Sequence, residues 1–303
     1  MLCKTTLFYL SLLTLSIGTQ GSLAKELTPK YQSVLNSDGP NNGLDSYALI
    51  RKEYGRKAIE SPDLYTSNHT QTKHIIEATD DQVGNHFVFL AHRDHDNDRD
   101  KGQTDRQRNE IKVYDKSSPT LKGFEDETLQ YRWYLKFGED FEFSKNFTHF
   151  FQIKAKNISK KRKKNGGDSS PIITLSAADL SNGRTEYQLR HNAGIDINGN
   201  KTKTSKLLRG DISLVSGQWL EVFTQITYAE EGHLIFKIKN LESGAIIAHV
   251  EEHGLDLWRG EGKLDFVRPK WGIYRSLKNQ ESLRGDEEIA RFANFTITKM
   301  QLK

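Results

Sequence analysis

The chain has 303 residues, of which 44 are Lys or Arg and 40 are Asp or Glu, so its formal net charge is +4 at pH 7. This length is enough for one large β domain or two small ones. The small basic excess permits an acidic partner, and we expect no nucleic-acid partner.

The first 24 residues have the pattern of a signal peptide. Lys4 is basic, Leu7 to Ile17 is an apolar stretch too short to span a bilayer, and Ser22-Leu23-Ala24 supplies small residues for cleavage. We therefore expect cleavage after Ala24, secretion to the periplasm or the extracellular space, and no membrane anchor. The single cysteine, Cys3, would be lost, which excludes disulfides, cysteine nucleophiles and thiolate metal sites from the mature chain.

Residues 25–58 are interpreted as an N-terminal extension. Lys25 to Gly43 is polar and contains Gly and Pro, which favours an extended leader. Leu44 to Tyr54 has apolar residues near helical spacing and predicts one short helix. From residue 59 to residue 303 we expect a single domain, because neither an internal repeat nor a linker interrupts it.

Short strands between turn signals are predicted from about residue 73 to the end of the chain. Many strands at this spacing, without an intervening helical pattern, are typical of an antiparallel sandwich or a jelly roll. The predicted strands are His74–Ala78, His86–His92, Asn109–Tyr114, Gln130–Phe137, Thr148–Ala155, Ile172–Ser176, Thr185–Arg190, Trp219–Tyr228, His233–Lys239, Ala245–Val250, Trp271–Tyr274 and Arg291–Lys299.

Two charged segments interrupt these strands, the acidic Asp94–Asp105 and the basic run Lys160–Lys164. A solvated loop is the ordinary interpretation of each, and electrostatic attraction of an acidic polymer is the alternative for the basic run. The alternating aspartates at 94, 96, 98 and 100 suggest calcium. The loop lacks the glycine and the terminal glutamate of an EF-hand, so only a different kind of calcium site stays open. We expect no required cofactor and no zinc site, since no strict ligand spacing appears.

Three segments place chemically capable side chains on one face of a strand, because alternate strand residues point to opposite faces. Guanidinium and ammonium groups bind carboxylates, and tyrosine or lysine exchanges protons when its pKa is shifted, so these faces fit a polyanion site. An ordinary solvent-facing side is the alternative for any single strand. The polar faces are Arg106, Arg108, Glu110 and Lys112, then Gln152 and Lys154, then Lys270, Gly272 and Tyr274, with Gly272 interpreted as leaving room for a sugar.

The segments Arg108-Asn-Glu110-Ile-Lys112, Gln152-Ile-Lys154 and Lys270-Trp-Gly272-Ile-Tyr274 resemble, in this order, three motifs of the jelly-roll polysaccharide lyases. That group includes alginate lyases, glucuronan lyases, ulvan lyases and relatives of heparin lyase I. The resemblance implies an all-β, concanavalin-like jelly roll, which is a two-sheet antiparallel β-sandwich, preceded here by a short helix. Many alginate lyases have histidine where this chain has Lys154, and the third motif is most similar to glucuronan and ulvan lyases.

By this resemblance the protein is a carbon–oxygen lyase that cuts a uronic-acid polysaccharide by β-elimination and leaves a 4,5-unsaturated end. Glucuronan or an ulvan-like polymer is the expected substrate, with alginate and glycosaminoglycans as further options. Arg108 and Gln152 would neutralise the uronate carboxylate, and Tyr274 would protonate the leaving oxygen. Lys154 would be the base or would lower the pKa of Tyr274, which is itself the base in some stereochemical cases. Further substrate-binding residues are expected to be Arg106, Glu110, Lys112, Lys270, Arg275 and His92.

Two histidines are interpreted by their position relative to these strands. His149 is one residue outside the face of Gln152 and Lys154, which favours a packing role. His92 ends a strand beside the acidic loop and is interpreted as reaching the groove.

Two other functions remain open from the sequence. A carbohydrate-binding lectin can share the sandwich but relies on exposed aromatic residues rather than on a Tyr/Lys pair. A jelly-roll glycoside hydrolase needs two carboxyl groups flanking the bond, and Glu110 has no convincing partner. A monomer is expected in each case.

Overall fold

Strands dominate the described part of the chain. The computed structural model describes residues 26–66, 68–99, 102–158, 167–195 and 200–303. The expected signal peptide, the run Lys160–Lys164 and Asp100 lie outside these residues. The α-helix is α1 (Ser46–Tyr54), and the strands are β1 (Leu27–Leu35), β2 (Ile59–Glu60), β3 (Ile75–Asp80), β4 (Gly84–His92), β5 (Arg106–Lys112), β6 (Thr128–Phe137), β7 (Thr148–Lys156), β8 (Ile173–Asp179), β9 (Thr185–His191), β10 (Ser205–Asp211), β11 (Leu220–Thr227), β12 (Gly232–Asn240), β13 (Ile246–Leu255), β14 (Phe266–Ser276) and β15 (Glu287–Leu302). Short 3-10 turns occupy Pro62–Leu64, Pro119–Leu121, Ile212–Leu214 and Gln280–Ser282.

These strands form two antiparallel sheets. The eight-stranded sheet has the order β13-β12-β11-β6-β15-β4-β3, with β1 paired to β15. The seven-stranded sheet has the order β10-β9-β8-β7-β14-β5-β2. The expected all-β, two-sheet antiparallel sandwich with a short N-terminal helix is thereby confirmed.

The core lies between the two sheets and is rich in aromatic rings. Trp133 of the eight-stranded sheet packs on Phe151 of the seven-stranded sheet, with ring centroids 4.4 Å apart. Trp271 of β14 contacts Phe295 of β15 edge to face across the same interface, at 5.3 Å. Each such side chain removes about 150–250 Å² of surface from water, so these rings contribute strongly to holding the sheets together. None of the helices in the described residues is long and apolar enough to cross a membrane.

The polar N-terminal segment is part of the sandwich rather than a free leader. β1 pairs antiparallel with β15 along its length. The helix α1 follows, and its N-cap Asp45 accepts hydrogen bonds from the backbone N–H groups of Tyr47 and Ala48 at 2.8 and 3.0 Å. Its buried side chains include Ile50 and Tyr54, and Tyr54 stacks on Trp271. The predicted short helix is thus confirmed, and it covers the edge of the core.

A β-bulge in β7 changes which of its side chains share a face. His149 and Phe151 lie opposite consecutive residues of β8, so Phe150 is an extra residue in β7. Phe150 and Phe151 are 2% and 0% exposed, and both belong to the core. The bulge interrupts the alternation between them. His149 therefore points to the same side as Gln152, and the alternation argument that gave His149 a packing role is wrong.

Gly272 is required by the backbone and not by space for a ligand. Its φ is +138°, in the region that favours glycine, and a Cβ built there would lie 2.1 Å from the carbonyl oxygen of Asn109 on β5. The missing side chain would thus meet the neighbouring strand. Glycine at position 272 is therefore explained by the close approach of β14 and β5, and not by room for a sugar.

Gly272→Ala is expected to destabilise the protein by about 3 kcal/mol or more, because it combines a strained φ with a backbone clash. The matched control is Gly84→Ala, where φ is +70° but an added Cβ would have no atom within 4 Å. That control should cost only about 1–2 kcal/mol, the penalty of the left-handed conformation alone. Denaturant unfolding of both variants measures the difference, and equal losses would contradict the clash.

Candidate active site

β14 runs between β5 and β7 and brings the three predicted motifs onto one surface. Tyr274 lies opposite Arg108 of β5, and Lys270 lies opposite Gln152 of β7. Lys154 follows two residues further along β7 on the same side. We call the surface formed by these five side chains the polar face. The four residues expected to be catalytic are therefore neighbours in the structure.

Tyr274 lies half-buried between two arginines and an aromatic pair. Its hydroxyl accepts a hydrogen bond from Arg106 Nη1 at 3.1 Å. The guanidinium of Arg108 lies 3.7 Å from its ring centroid, in a cation–π arrangement. The rings of Phe147 and His149 lie 5.2 and 5.9 Å away. The ring is therefore held in place on several sides, while its hydroxyl stays partly accessible.

Glu110 is the buried centre of the charges beneath Tyr274. It is 1% exposed and accepts hydrogen bonds from Arg108, from the amide of Gln152 and, at 2.6 Å, from Lys270 Nζ. A glutamate that accepts from three donors positions all of them. Glu110 thus orients the side chains of three strands, and Gln152 uses one of its donors here.

Glu60, on the short edge strand β2, compensates the same cations. Its carboxylate lies 2.6 Å from Lys270 Nζ and 2.5 Å from Lys112 Nζ. Burial by itself would raise the pKa of Glu60, but the charges of Lys270, Arg108 and Lys112 outweigh it and hold that pKa well below its usual value. Glu60 is therefore a permanent anion at neutral pH. No sequence motif indicated it, because β2 has only two residues.

Arg108 is held by the acidic loop that follows β4. Its Nε and Nη2 atoms donate to the two carboxylate oxygens of Asp98 at 2.7 and 3.0 Å, the bidentate geometry of an Arg–carboxylate pair. Burial alone would raise the pKa of Asp98, but the hydrogen bond and charge of Arg108 lower it to about 2. The fork of Arg108 is therefore already occupied by a protein carboxylate.

Glu60→Gln is expected to cost about 3 kcal/mol of folding stability, because it leaves buried cations without their counter-charge. The control is Glu26→Gln, which removes an exposed ion pair with Lys303 and should cost about 1 kcal/mol or less. Since the folded pKa of Glu60 lies below the usual value of 4.5, its contribution is present above that pH and is lost as pH falls through the lower folded value. Denaturant unfolding at neutral and acidic pH tests both statements, and a loss equal to that of the control would contradict them.

Lys154 differs from Lys270, the other lysine of the polar face, because no carboxylate in the described part of the chain pairs with it. Among the described residues it makes no hydrogen bond and no ion pair. Burial and the nearby charges of Lys270 and Arg108 lower the pKa of Lys154 to about 8, with Glu110 opposing this shift. A substantial fraction of its amine is thus neutral near pH 8, which is the condition for a proton acceptor.

His149 is a second candidate proton acceptor, although strand alternation had predicted a packing role for it. It lies opposite Tyr274, and its Nδ1 atom is 2.7 Å from Ser176 Oγ on β8. Burial and the cations Arg190 and Arg108 hold the pKa of His149 well below its usual value. The imidazole is therefore neutral at neutral pH. The sequence assigned His149 to the wrong face of β7 because no sequence pattern indicates the bulge at Phe150.

Besides Lys154, two partly buried arginines on this side of the sheet form no ion pair with a carboxylate among the described residues. Arg190 of β9 donates to Gln188, and Arg268 of β14 donates to the backbone oxygen of Val113. Burial lowers the pKa of both arginines, and at Arg268 the charges of Glu60, Asp168, Glu110 and Asp115 oppose this shift. Cations without an ion-pair partner among the described residues therefore lie on β14, β7 and β9.

Two residues expected to bind substrate lie elsewhere. Arg275 is fully buried in the interior, where Nε donates to Gln107 at 2.5 Å, because neighbouring strand residues point to opposite sides. His92 contacts His74 and Glu287 at the end of β4 rather than the polar face. The remaining expected residues, Arg106, Glu110, Lys112 and Lys270, lie beside the catalytic candidates.

The aspartates of the acidic loop do not converge on a common point in the described residues. Asp94 pairs with Arg93, Asp98 pairs with Arg108, and Asp96 faces a group of histidines. Each of these three aspartates thus has a different partner, and the suggested calcium site stays a prediction.

Comparison with known proteins identifies the fold. No family model matches the chain, and no curated protein sequence matches it significantly. Among solved structures, endo-β-1,4-glucuronan lyase from the fungus Trichoderma reesei is similar with a TM-score of 0.52 and 14% identity, over 89% of this chain and 95% of that chain. The marine PL-14 alginate lyase from Aplysia kurodai is similar with a TM-score of 0.53 and 13% identity, over 89% and 98%. A double mutant of alginate lyase Aly36B in complex with alginate trisaccharide gives a TM-score of 0.51 and 12% identity, over 89% and 99%. The likeness confirms the jelly-roll fold of the group that the motifs resemble.

Proposed function

We propose that this protein is a secreted polysaccharide lyase that cleaves a uronic-acid polymer by β-elimination. The observation that carries the proposal is the group on the polar face. A partly accessible tyrosine hydroxyl, Tyr274, lies beside an unpaired amine, Lys154, whose pKa is lowered to about 8. Arg190 on β9 is a further cation that forms no ion pair with a carboxylate among the described residues. A site with a proton donor, a proton acceptor and uncompensated positive charge suits an anionic substrate.

In the proposed reaction, the uronate carboxylate faces Arg190, whose charge also lowers the pKa of His149 opposite Tyr274. The charge of Arg190 stabilises the negative charge that develops on the carboxylate when the C5 proton is removed. Lys154, as the neutral amine, takes this proton. The electrons of the C5–H bond form the C4–C5 double bond, and the bond from C4 to the glycosidic oxygen breaks. Tyr274 gives its proton to that oxygen.

Arg108 and Gln152 then have a different task from the one implied by the resemblance. The donors of Arg108 are engaged by Asp98 and Glu110, and the amide of Gln152 donates to Glu110. We propose that both residues position Tyr274 and the charge cluster beneath it. A direct contact of Arg108 or Gln152 with the substrate carboxylate, which the resemblance implies, is secondary to this positioning role.

A hydrolase is disfavoured by the same carboxylates. Glycoside hydrolysis needs an acid and a base or nucleophile that flank the bond. Glu60 and Glu110 are 3% and 1% exposed, and both are bound to Lys270. Neither is available to a sugar. A non-catalytic lectin would use the same cations for binding and differs only in forming no product.

The substrate is proposed to be a glucuronan-like polymer, with alginate and ulvan as the next candidates. The purified chain should be incubated with each polymer, with heparin and with a neutral glucan, while ultraviolet absorbance is followed. A 4,5-unsaturated uronate absorbs, so rising absorbance with one acidic polymer and none with the neutral glucan is the expected result. Reducing ends that increase without absorbance would indicate a hydrolase, and binding without either signal would indicate a lectin.

A further inference from the structure

Four side chains with metal-binding atoms converge at the end of β4, outside the polar face. They are His69 and His74, which precede β3, His92, which ends β4, and Asp96 of the acidic loop. One ligand atom of each lies within 4.8 Å of all the others. Three separate segments of the chain therefore meet at one point.

Three of the six distances between these atoms are close to the edge length of a tetrahedral site. His74 Nε2 and His69 Nδ1 lie 2.9 and 3.1 Å from Asp96 Oδ1, and His92 Nδ1 lies 3.1 Å from His74 Nε2. A tetrahedral zinc site with bonds of about 2.0–2.1 Å has ligand atoms about 3.3 Å apart. These three distances lie within about 0.4 Å of that edge. The remaining pairs, all within 4.8 Å, would close by about 1.5 Å or less as the side chains adjust to hold an ion.

The outer nitrogens of two of these histidines face carboxylates. His74 Nδ1 lies 3.3 Å from Asp63, and His92 Nε2 lies 3.1 Å from Glu287. Asp63 is itself held by a hydrogen bond from Tyr47 Oη at 2.7 Å. Metal-binding histidines almost always donate their second ring N–H to such a partner, which orients the ring and makes it a better ligand.

We infer that His69, His74, His92 and Asp96 bind one zinc ion with a structural role. Three imidazoles and one carboxylate are a nitrogen-rich set that suits zinc better than calcium, which takes six to eight oxygens. The side chains of His74 and Asp96 are 0% and 1% exposed, so this half of the site is buried. Four protein ligands close a tetrahedral site and leave no position for substrate.

The zinc ion joins the acidic loop to the sandwich. Asp96 of the acidic loop contacts His74 and His92. Two residues later, Asp98 accepts hydrogen bonds from the guanidinium of Arg108. The ion therefore fixes the segment that orients Arg108 against Tyr274. Zinc binding itself is independent of the proposed lyase activity, because the ligand set lies outside the polar face.

The test measures zinc content and melting temperature of the untagged protein after exposure to zinc and dialysis. Wild type should retain about one zinc per chain. Zinc at about 100 times its Kd should raise the melting temperature by roughly 5 °C or more, and calcium should not. His69→Gln, at the least buried histidine of the group, should lose the zinc and the shift while still folding. Glu287→Gln should keep the site but weaken zinc binding by about 10-fold or more.

The matched control is His233→Gln. His233, Glu251 and His253 form a second, exposed group of metal-binding atoms, so this variant reports adventitious surface binding. It should retain zinc and the thermal shift as wild type does. Wild type with no retained zinc and no shift would overturn the inference and leave a hydrogen-bonded His/Asp cluster. Loss of zinc in His233→Gln, with retention in His69→Gln, would overturn it as well.

Discussion

Tyr274→Phe is expected to reduce the rate of unsaturated-product formation by about two to four powers of ten, the usual cost of losing a general acid. The substitution removes only the phenol oxygen. The ring keeps its contacts with Arg108 and Phe147, so its packing is preserved. The one hydrogen bond lost, from Arg106, is partly exposed and contributes about 1 kcal/mol or less. Activity should therefore fall while folding is nearly unchanged.

The measurement compares product absorbance and melting temperature of wild type and Tyr274→Phe on an active polymer. Tyr134→Phe is the matched control, since Tyr134 lies on β6 of the other sheet beside the core residue Trp133 and should affect neither quantity. Near-normal turnover by folded Tyr274→Phe would remove Tyr274 from the chemistry. A parallel loss of folding and activity would instead identify it as a structural residue.

Lys154→Met and Lys154→Arg are both expected to lose about two to four powers of ten in rate, because neither can accept the C5 proton. The arginine variant keeps the positive charge, so it separates a base from a purely electrostatic role. Neither variant should unfold, and Lys154→Met should be as stable as wild type or more so, since the amine is largely buried without a partner. Full activity of Lys154→Arg would show that the charge alone matters.

The pH dependence gives an independent check of the same assignment. A lysine base must be neutral, so kcat/KM of the wild type should rise with pH and level off above about 8, the lowered pKa of Lys154. If His149 were the base, its pKa well below the usual value would make kcat/KM independent of pH in this range. His149→Gln would then cause the larger loss. A pH-independent kcat/KM, together with a larger loss of activity in His149→Gln than in the Lys154 variants, would identify His149 as the base instead of Lys154.

The polar strands of the site could be recognised from sequence because their information is local. Side chains of a strand alternate between two faces, so Arg108 and Glu110 on one strand, and Lys270 and Tyr274 on another, could be assigned to common faces. The same alternation predicted a sandwich and most of its strands. An antiparallel sheet that packs one side on a core commonly alternates apolar residues on that side with polar residues on the other.

The tertiary structure determined which side chains meet at the site, which the alternation of strand residues does not predict. A single bulged residue, Phe150, moved His149 onto the polar face, and bulges depend on how two strands pair rather than on either sequence alone. Glu60 reaches the charge cluster through pairing of β2 with β5. The zinc ligands come from segments brought together by the pairing of β3 with β4, so their spacing along the chain carries no motif. Composition and alternation determined the sandwich and its polar strands, whereas strand register and loop closure, which are nonlocal, determined which charges meet.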